Sequence, residues 1–233
     1  MWTRERFSDR RVAGMHLAAE LGAFAEREDV VVLALPRGGV PVGWEVARAL
    51  GAPLDVLVVR KLGLPGHEEL AMGAIASGGV RVINPDVVNM MHVPSAAIDE
   101  VVAHEIEELH RREQLYRGGR PLPDVRDRTV ILVDDGVATG STMLAAIRSL
   151  RTLAPRQIVV AVPVASVEAA HAIRTEADTL VVLSVPEAFD SVGRWYADFR
   201  QTSDAEVRML LATARDQRRP GVSEPLAAGQ RSE

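Results

Sequence analysis

The stretch Val130–Thr142, with the sequence VILVDDGVATGST, decides the fold that this chain can adopt. Its first residues form an apolar run typical of a buried strand, and two adjacent acids, Asp134 and Asp135, end that run. A glycine-containing loop follows, and a helix comes after the loop. In an open parallel sheet, ligands bind at the carboxyl ends of the strands, which is where these acids fall. The stretch therefore predicts an α/β fold with a ligand site at this edge of the sheet.

The acids and the loop suit two parts of one ligand. Backbone N–H groups and hydroxyls at the start of a helix suit a phosphate, and adjacent carboxylates can accept hydrogen bonds from a vicinal diol. A phosphate held near a diol describes a sugar phosphate. The alternative is that Ser141 and Thr142 merely cap a helix and that the acids are a solvated strand end. Two acids, several hydroxyls and two glycines within so short a stretch favour the ligand site.

The chain contains six apolar runs, one of which is the strand of this stretch. Most of them lack the period-two alternation of a strand with one solvated face. The runs are Val30–Pro36, Leu54–Arg60, Val80–Asn84, Thr129–Asp134, Ile158–Val164 and Leu180–Val185. Helical patterns lie between them, at Arg10–Glu26, Pro41–Leu50, Ser141–Leu153 and Val167–Thr175. Strands covered on both faces and alternating with helices predict a mainly parallel sheet flanked by helices.

One segment departs from this alternation. Pro94–Tyr116 has apolar residues at helical spacing within a charge-dense sequence, which predicts a long inserted helix. It contains HEIEELH, but a zinc-protease site needs histidines at positions i and i+4, and position 108 is glutamate. A solvated helix face is the better interpretation.

Composition narrows the function classes. The chain has 233 residues, of which 47% are hydrophobic and 25% charged, with a formal net charge of −5 and no cysteine. These values exclude disorder for most of the chain, disulfides and thiolate nucleophiles, and they argue against a general nucleic-acid binder. No apolar run approaches the roughly 20 residues of a membrane helix. We expect a cytoplasmic protein with one domain over residues 1–217 and a flexible tail over 218–233.

The stretch VILVDDGVATGST resembles, at nearly every position, the phosphoribosyl-pyrophosphate (PRPP) signature of type I phosphoribosyltransferases. The resemblance implies that family's fold, with a hood built from the C-terminal segment and with the N-terminal segment as a further candidate. It also implies that Asp134 and Asp135 act at the reaction centre by contacting the ribose 2′- and 3′-hydroxyls. The residues implied to cradle the 5′-phosphate are Ala138, Thr139, Gly140, Ser141 and Thr142. The order of elements is most similar to a bacterial subfamily whose substrate the resemblance does not supply.

Two other segments resemble the family's pyrophosphate-binding parts. Arg37, Gly38 and Gly39 follow the first apolar strand in LPRGG, where the family places a pyrophosphate loop; taken alone, the motif is a common turn. Arg60 and Lys61 open RKLGLPG, which resembles the start of the mobile loop in adenine and orotate phosphoribosyltransferases. The alternative for this pair is a solvated strand end. The glycines and the single proline of residues 62–78 lead us to expect a mobile flap with little to pack against.

The sequence contains fewer indications of the residues that bind the acceptor. Enzymes for 6-oxopurines carry an acid just before the Thr-Gly of the signature, and here that position is Ala138. Proton transfer would then fall to His67, Glu68 or Glu69, with Glu69 favoured and loop solubility as the alternative. Phe189, Trp195 and Tyr196, with nearby Phe199, are candidates to cover the acceptor or, equally, to build a small core for the hood.

The resemblance implies transfer of a 5-phosphoribosyl group from PRPP to a nitrogen heterocycle with release of pyrophosphate. It implies Mg²⁺ bound through PRPP, without a dedicated protein cage. The alternative is a non-catalytic regulator that binds PRPP or a nucleotide on the same fold. We expect the protein to bind PRPP and a small heterocyclic acceptor, and we expect it to bind neither nucleic acid nor a membrane. The sequence leaves open whether the protein forms a homodimer.

Overall fold

The computed structural model describes residues 6–217, except for the side chains of Glu68 and Glu69. The strands are β1 (Val30–Ala34), β2 (Leu54–Val56), β3 (Val59–Leu64), β4 (His67–Ala76), β5 (Val80–Ile83), β6 (Thr129–Val133), β7 (Gln157–Val164) and β8 (Thr179–Ser184). The α-helices are α1 (Arg10–Glu20), α2 (Gly39–Leu50), α3 (Pro85–Met90), α4 (Ser95–Arg117), α5 (Ser141–Arg151), α6 (Val167–Glu176) and α7 (Asp204–Asp216). Short 3-10 turns lie at Gly22–Phe24 and Val192–Trp195. The tail predicted over 218–233 lies outside the described residues.

A five-stranded parallel sheet forms the centre of the fold, in the order β2-β1-β6-β7-β8. Strands β1 and β6 are direct neighbours, with Val32 opposite Ile131. Every residue of both strands is buried. Because the strands are parallel, the loops that leave β1 and β6 emerge side by side at one edge of the sheet.

Helices cover both faces of this sheet. Val30 and Val32 of β1 belong to an apolar cluster that includes residues of α1, α2, α4 and α7. Val31 and Leu33, which point the other way, belong to a second cluster with residues of α5 and α6. Two apolar faces explain why these strands show no alternation, and they confirm the predicted mainly parallel sheet flanked by helices.

The structure also contains a second, smaller sheet, which the sequence did not predict. Strands β3, β4 and β5 pair antiparallel, so the run Leu54–Arg60 divides between β2 and β3, and the run at 80–84 contributes β5 to this smaller sheet. The expectation that residues 62–78 have little to pack against is wrong. Leu62, Leu64 and Met72 are buried. Gly66, with a φ of +76°, lies in the hairpin turn.

The inserted helix is present as predicted, and its last residue fastens it to the sheet. The Arg117 side chain is 1% exposed and forms ion pairs with Asp55 and Glu113. The same guanidinium donates to the carbonyl oxygen of Val56 and to the hydroxyl of Ser77. Among the described helices, none is long and apolar enough to cross a membrane.

Candidate functional site

Two loops distant in sequence touch at the carboxyl ends of β1 and β6. The backbone N–H of Leu35 donates to the carbonyl of Val133 at 2.9 Å, which extends the pairing of the two strands into the loops. A Cβ atom on Gly38 would lie 2.0 Å from Asp135 Oδ2, and one on Gly39 would lie 2.9 Å from Asp134 Cα. The close approach of the glycine loop to the acid pair therefore requires that both glycines lack a side chain.

Two helices begin at these loops without a capping side chain. The N-caps of α2 and α5 are glycines, Gly38 and Gly140, and α4 also lacks a side-chain cap, whereas α1, α3, α6 and α7 each have one. Gly140 has a φ of +79°, in the left-handed region that favours glycine. The first-turn N–H groups of a helix lack intrahelical partners and carry partial positive charge. The start of α5 is thus suited to an anion. At α2, the N–H groups of Gly39 and Val40 already donate to the carbonyls of Leu35 and Arg37 at 3.1 Å.

The hydroxyl-rich turn before α5 is exposed and is anchored from behind. Thr139 and Thr142 are exposed, and Thr139 Oγ1 lies 3.2 Å from Ser141 Oγ. The Ser166 hydroxyl donates to the carbonyl of Ala138 at 2.7 Å, which ties the turn to the residues that follow β7. The turn therefore presents its hydroxyls on a fixed backbone.

The two acids are held by groups from opposite ends of the chain. Asp134 Oδ1 accepts from the backbone N–H of Asp135 at 2.8 Å, and Asp135 Oδ2 accepts from Arg10 Nε at 2.7 Å. The Tyr196 hydroxyl donates to the carbonyl oxygen of Asp135 at 2.5 Å. Burial and the charge of Asp135 raise the pKa of Asp134 well above its usual range. Burial also raises the pKa of Asp135, and Arg10 opposes that shift.

The predicted acceptor residues differ in their exposure. Tyr196 is only 3% exposed, and its ring stacks on Phe199 with centroids 5.1 Å apart. It therefore has little free ring area for a ligand, and its contact with the site is the hydrogen bond to Asp135. Phe189 and Trp195 are half-buried. Phe199, the further candidate from the sequence, is 37% exposed.

Two of the three predicted pyrophosphate cations are paired with carboxylates. Arg37 Nη1 lies 3.8 Å from Asp204 Oδ1 on α7, and Arg60 Nε donates to Glu105 on α4 at 2.6 Å. Arg60 and Lys61 lie inside β3 rather than at the start of a loop, because β3 continues through Leu64 to pair with β4. Lys61 is exposed.

The oxygen Asp204 Oδ1 also accepts from the hydroxyl of Tyr116 at 2.6 Å. Burial and this hydrogen bond raise the pKa of Tyr116 to about 12. Sequence reasoning missed Asp204, Glu105 and Arg10, because no local pattern shows which distant charge a residue will meet. Arg10 and Asp135 are 125 positions apart.

The predicted proton acceptors lie at the tip of the smaller sheet. His67 is exposed at the start of β4. The side chains of Glu68 and Glu69 lie outside the described residues, so their roles stay predictions.

Comparison with known proteins identifies the family of this chain. A family model described as the phosphoribosyl transferase domain matches residues 9–196. A Mycobacterium tuberculosis (strain H37Rv) protein named "Putative phosphoribosyl transferase Rv0571c" is 47% identical over 208 residues, which are 89% of this chain and 47% of that protein. The chain therefore spans about half the length of the curated relatives it matches.

Solved structures show the same fold. TT1426 from Thermus thermophilus is 44% identical, with a TM-score of 0.82 over 89% of this chain and 98% of that one. The AQ2163 protein from Aquifex aeolicus is 14% identical, with a TM-score of 0.50 over 87% and 85% of the two chains, and it supports the fold alone. Because the family model covers most of its length, this chain belongs to the phosphoribosyl transferase domain family.

Proposed function

We propose that this chain is a phosphoribosyltransferase that uses PRPP. The observation that carries the proposal is the convergence of a glycine loop and an anion-suited helix start on one pair of carboxylates. The Gly38–Gly39 loop touches Asp134 and Asp135, and the hydroxyl turn before α5 follows the same acids. PRPP has this arrangement of groups, with a 5′-phosphate, a ribose diol and a pyrophosphate at C1.

Each part of the site has a role in this reaction. The turn at 138–142 would hold the 5′-phosphate, and the two aspartates would accept hydrogen bonds from the ribose hydroxyls. The start of α2, with Arg37, Arg60 and Lys61, would hold the pyrophosphate. The bond from C1 to the pyrophosphate oxygen breaks, with its electron pair leaving on pyrophosphate, and a bond forms from C1 to an acceptor nitrogen. Positioning and charge stabilisation supply most of the catalysis.

Magnesium fits this site as a companion of PRPP. The described residues contain no group of three histidine, aspartate or glutamate side chains that could hold a metal ion. Asp134 and Asp135 offer carboxylate oxygens of the kind Mg²⁺ prefers, and the other ligands would be ribose, phosphate and water oxygens. When bound, the ion would neutralise part of the pyrophosphate charge.

We further propose a nitrogen heterocycle as the acceptor, covered by the hood with Phe189 and Trp195. Ala138 has only a methyl group and cannot handle a proton, so Glu69 is assigned that task. We expect hypoxanthine and guanine to be poor acceptors for the same reason. Pyrophosphate release with a panel of bases at pH 7–8 tests this expectation, and robust turnover with either 6-oxopurine in Glu68→Gln/Glu69→Gln would contradict it. The cytoplasmic location, the homodimer option and the domain limit at residue 217 stay predictions from the sequence.

The double variant Asp134→Asn/Asp135→Asn tests the PRPP site. Charge-assisted hydrogen bonds contribute about 1.5–3 kcal/mol each, so calorimetry with PRPP and Mg²⁺ should show at least a tenfold loss of affinity. Asp178→Asn is the control, because that carboxylate pairs with Arg151 just before β8, at the edge of the sheet opposite the acid pair. Equal PRPP affinity in the double variant and the control would overturn the assignment.

One observation favours the second candidate function, a non-catalytic PRPP- or nucleotide-binding regulator. Both arginines assigned to pyrophosphate already have carboxylate partners, Asp204 and Glu105. Tight PRPP binding without pyrophosphate release from any base in the panel would support the regulator.

A further inference from the structure

The Arg10 side chain connects the acid pair to the C-terminal segment. It is the first residue of α1, and its side chain is 11% exposed. Its Nε donates to Asp135, and its Nη1 donates to the carbonyl oxygen of Arg200 at 2.7 Å. Its guanidinium carbon lies 3.9 Å from the ring centroid of Phe199, within cation–π distance. The planar guanidinium of Arg10 is therefore held by hydrogen bonds at Nε and Nη1 and by the Phe199 ring on one face.

Backbone pairing holds this arrangement in place. Phe7 donates to the carbonyl of Trp195 at 2.9 Å and accepts from the N–H of Ala197 at 2.8 Å. Asp9 caps α1 by accepting from the N–H of Val12 at 2.9 Å. The residues before Arg10 and the segment that carries Phe199 are thus joined independently of the ion pair. The backbone that supports Arg10 is therefore held in place without the ion pair between Arg10 and Asp135.

The Asp135 carboxylate is confined between Arg10 and the glycine loop. Arg10 faces it from α1, Asp134 lies beside it at the end of β6, and Gly38 lies against its Oδ2 atom. The hydroxyl of Tyr196 meets the backbone oxygen of the same residue. Without Arg10, the carboxylate would lose the charge-assisted hydrogen bond that fixes its orientation.

We propose that Arg10 is a positioning residue of the PRPP site, which holds the Asp135 carboxylate oriented to receive a ribose hydroxyl. This inference rests on the proposed function. It assigns to the N-terminal helix a part in ligand binding that acts through Asp135 rather than by contact with the reacting atoms.

Calorimetry with PRPP and Mg²⁺ tests the proposal on Arg10→Gln and Arg10→Lys. We expect Arg10→Gln to raise the Kd at least tenfold, because the carboxylate that receives the ribose hydroxyl is then no longer held in place. Arg10→Lys keeps the charge without the fork and should give an intermediate Kd. Arg200→Gln is the matched control, since that side chain is 90% exposed and pairs with Asp198; its Kd should stay within twofold of the parent value.

The outcomes separate this proposal from the proposed function. A parent chain that binds PRPP and an Arg10→Gln variant with the same or a tighter Kd would overturn the role of Arg10 and leave the function standing. A parent chain that does not bind PRPP would overturn both. If Arg10→Gln fails to fold, Phe199→Leu replaces it, because it removes the ring beside the guanidinium and retains both charges. That variant should raise the Kd severalfold, and an unchanged Kd would overturn the proposal.

Discussion

Replacing Gly38 with alanine tests the close contact between the glycine loop and the acid pair. Gly38 has φ −60° and ψ −33°, which alanine adopts without strain, so only space opposes the change. The new Cβ would lie 2.0 Å from Asp135 Oδ2 and 2.6 Å from Asp135 Cγ, against 3.4 Å or more for an ordinary contact. The carboxylate would therefore have to move by more than about 1 Å, away from the position in which Arg10 holds it.

The expected loss of stability in Gly38→Ala has two sources, steric overpacking and a weakened hydrogen bond from Arg10. Overpacking a close contact costs about 1–3 kcal/mol, and the charge-assisted hydrogen bond from Arg10 contributes about 1.5–3 kcal/mol. Because the two share one side chain, they are not fully additive, and we expect the free energy of unfolding to fall by about 2–5 kcal/mol. PRPP affinity should fall at least tenfold, since the displaced carboxylate is the proposed ribose contact.

Urea unfolding and PRPP calorimetry measure these two effects. Gly22→Ala is the control, because a Cβ atom there would meet nothing within 4 Å, and its stability should change by no more than about 0.5 kcal/mol. A Gly38→Ala protein that matched the control in both stability and PRPP affinity would show that the contact is not as close as the structure has it.

Two further predictions concern the acids of α4. Glu105→Gln removes the carboxylate that pairs with Arg60, so the affinity for inorganic pyrophosphate should rise severalfold by calorimetry; an unchanged affinity would argue against Arg60 as a pyrophosphate ligand. Glu108 accepts hydrogen bonds from two arginines on the same helix, which lower its pKa from 4.5 to about 2. Its stabilising contribution is therefore present above about pH 4.5 and is lost as the pH falls toward 2, where Glu108→Gln should differ least from the parent chain in urea unfolding. The difference at pH 7 should be about 0.5–1 kcal/mol because the pair is near the surface, and a difference that grows on acidification would contradict the reasoning.

The sequence determined the parts of this protein that depend on local patterns. Strand runs without alternation predicted a sheet covered on both faces, and helical spacing predicted α4 to within one residue at each end. The acids, glycine and hydroxyls of VILVDDGVATGST predicted the strand, turn and helix of β6 and α5. These features depend on near neighbours in the chain, whose periodicity and turn chemistry can be read in the sequence.

The tertiary structure alone decided which distant segments meet. Strand order places β1 beside β6, and this brings Gly38 against Asp135. The antiparallel pairing of β3, β4 and β5 placed Arg60 within a strand opposite Glu105, where the sequence predicted a loop. Arg10 reaches Asp135 because α1 packs on the sheet beside the C-terminal segment. The burial of apolar faces determines which segments become neighbours. No local sequence pattern predicts which charged residues this packing brings together.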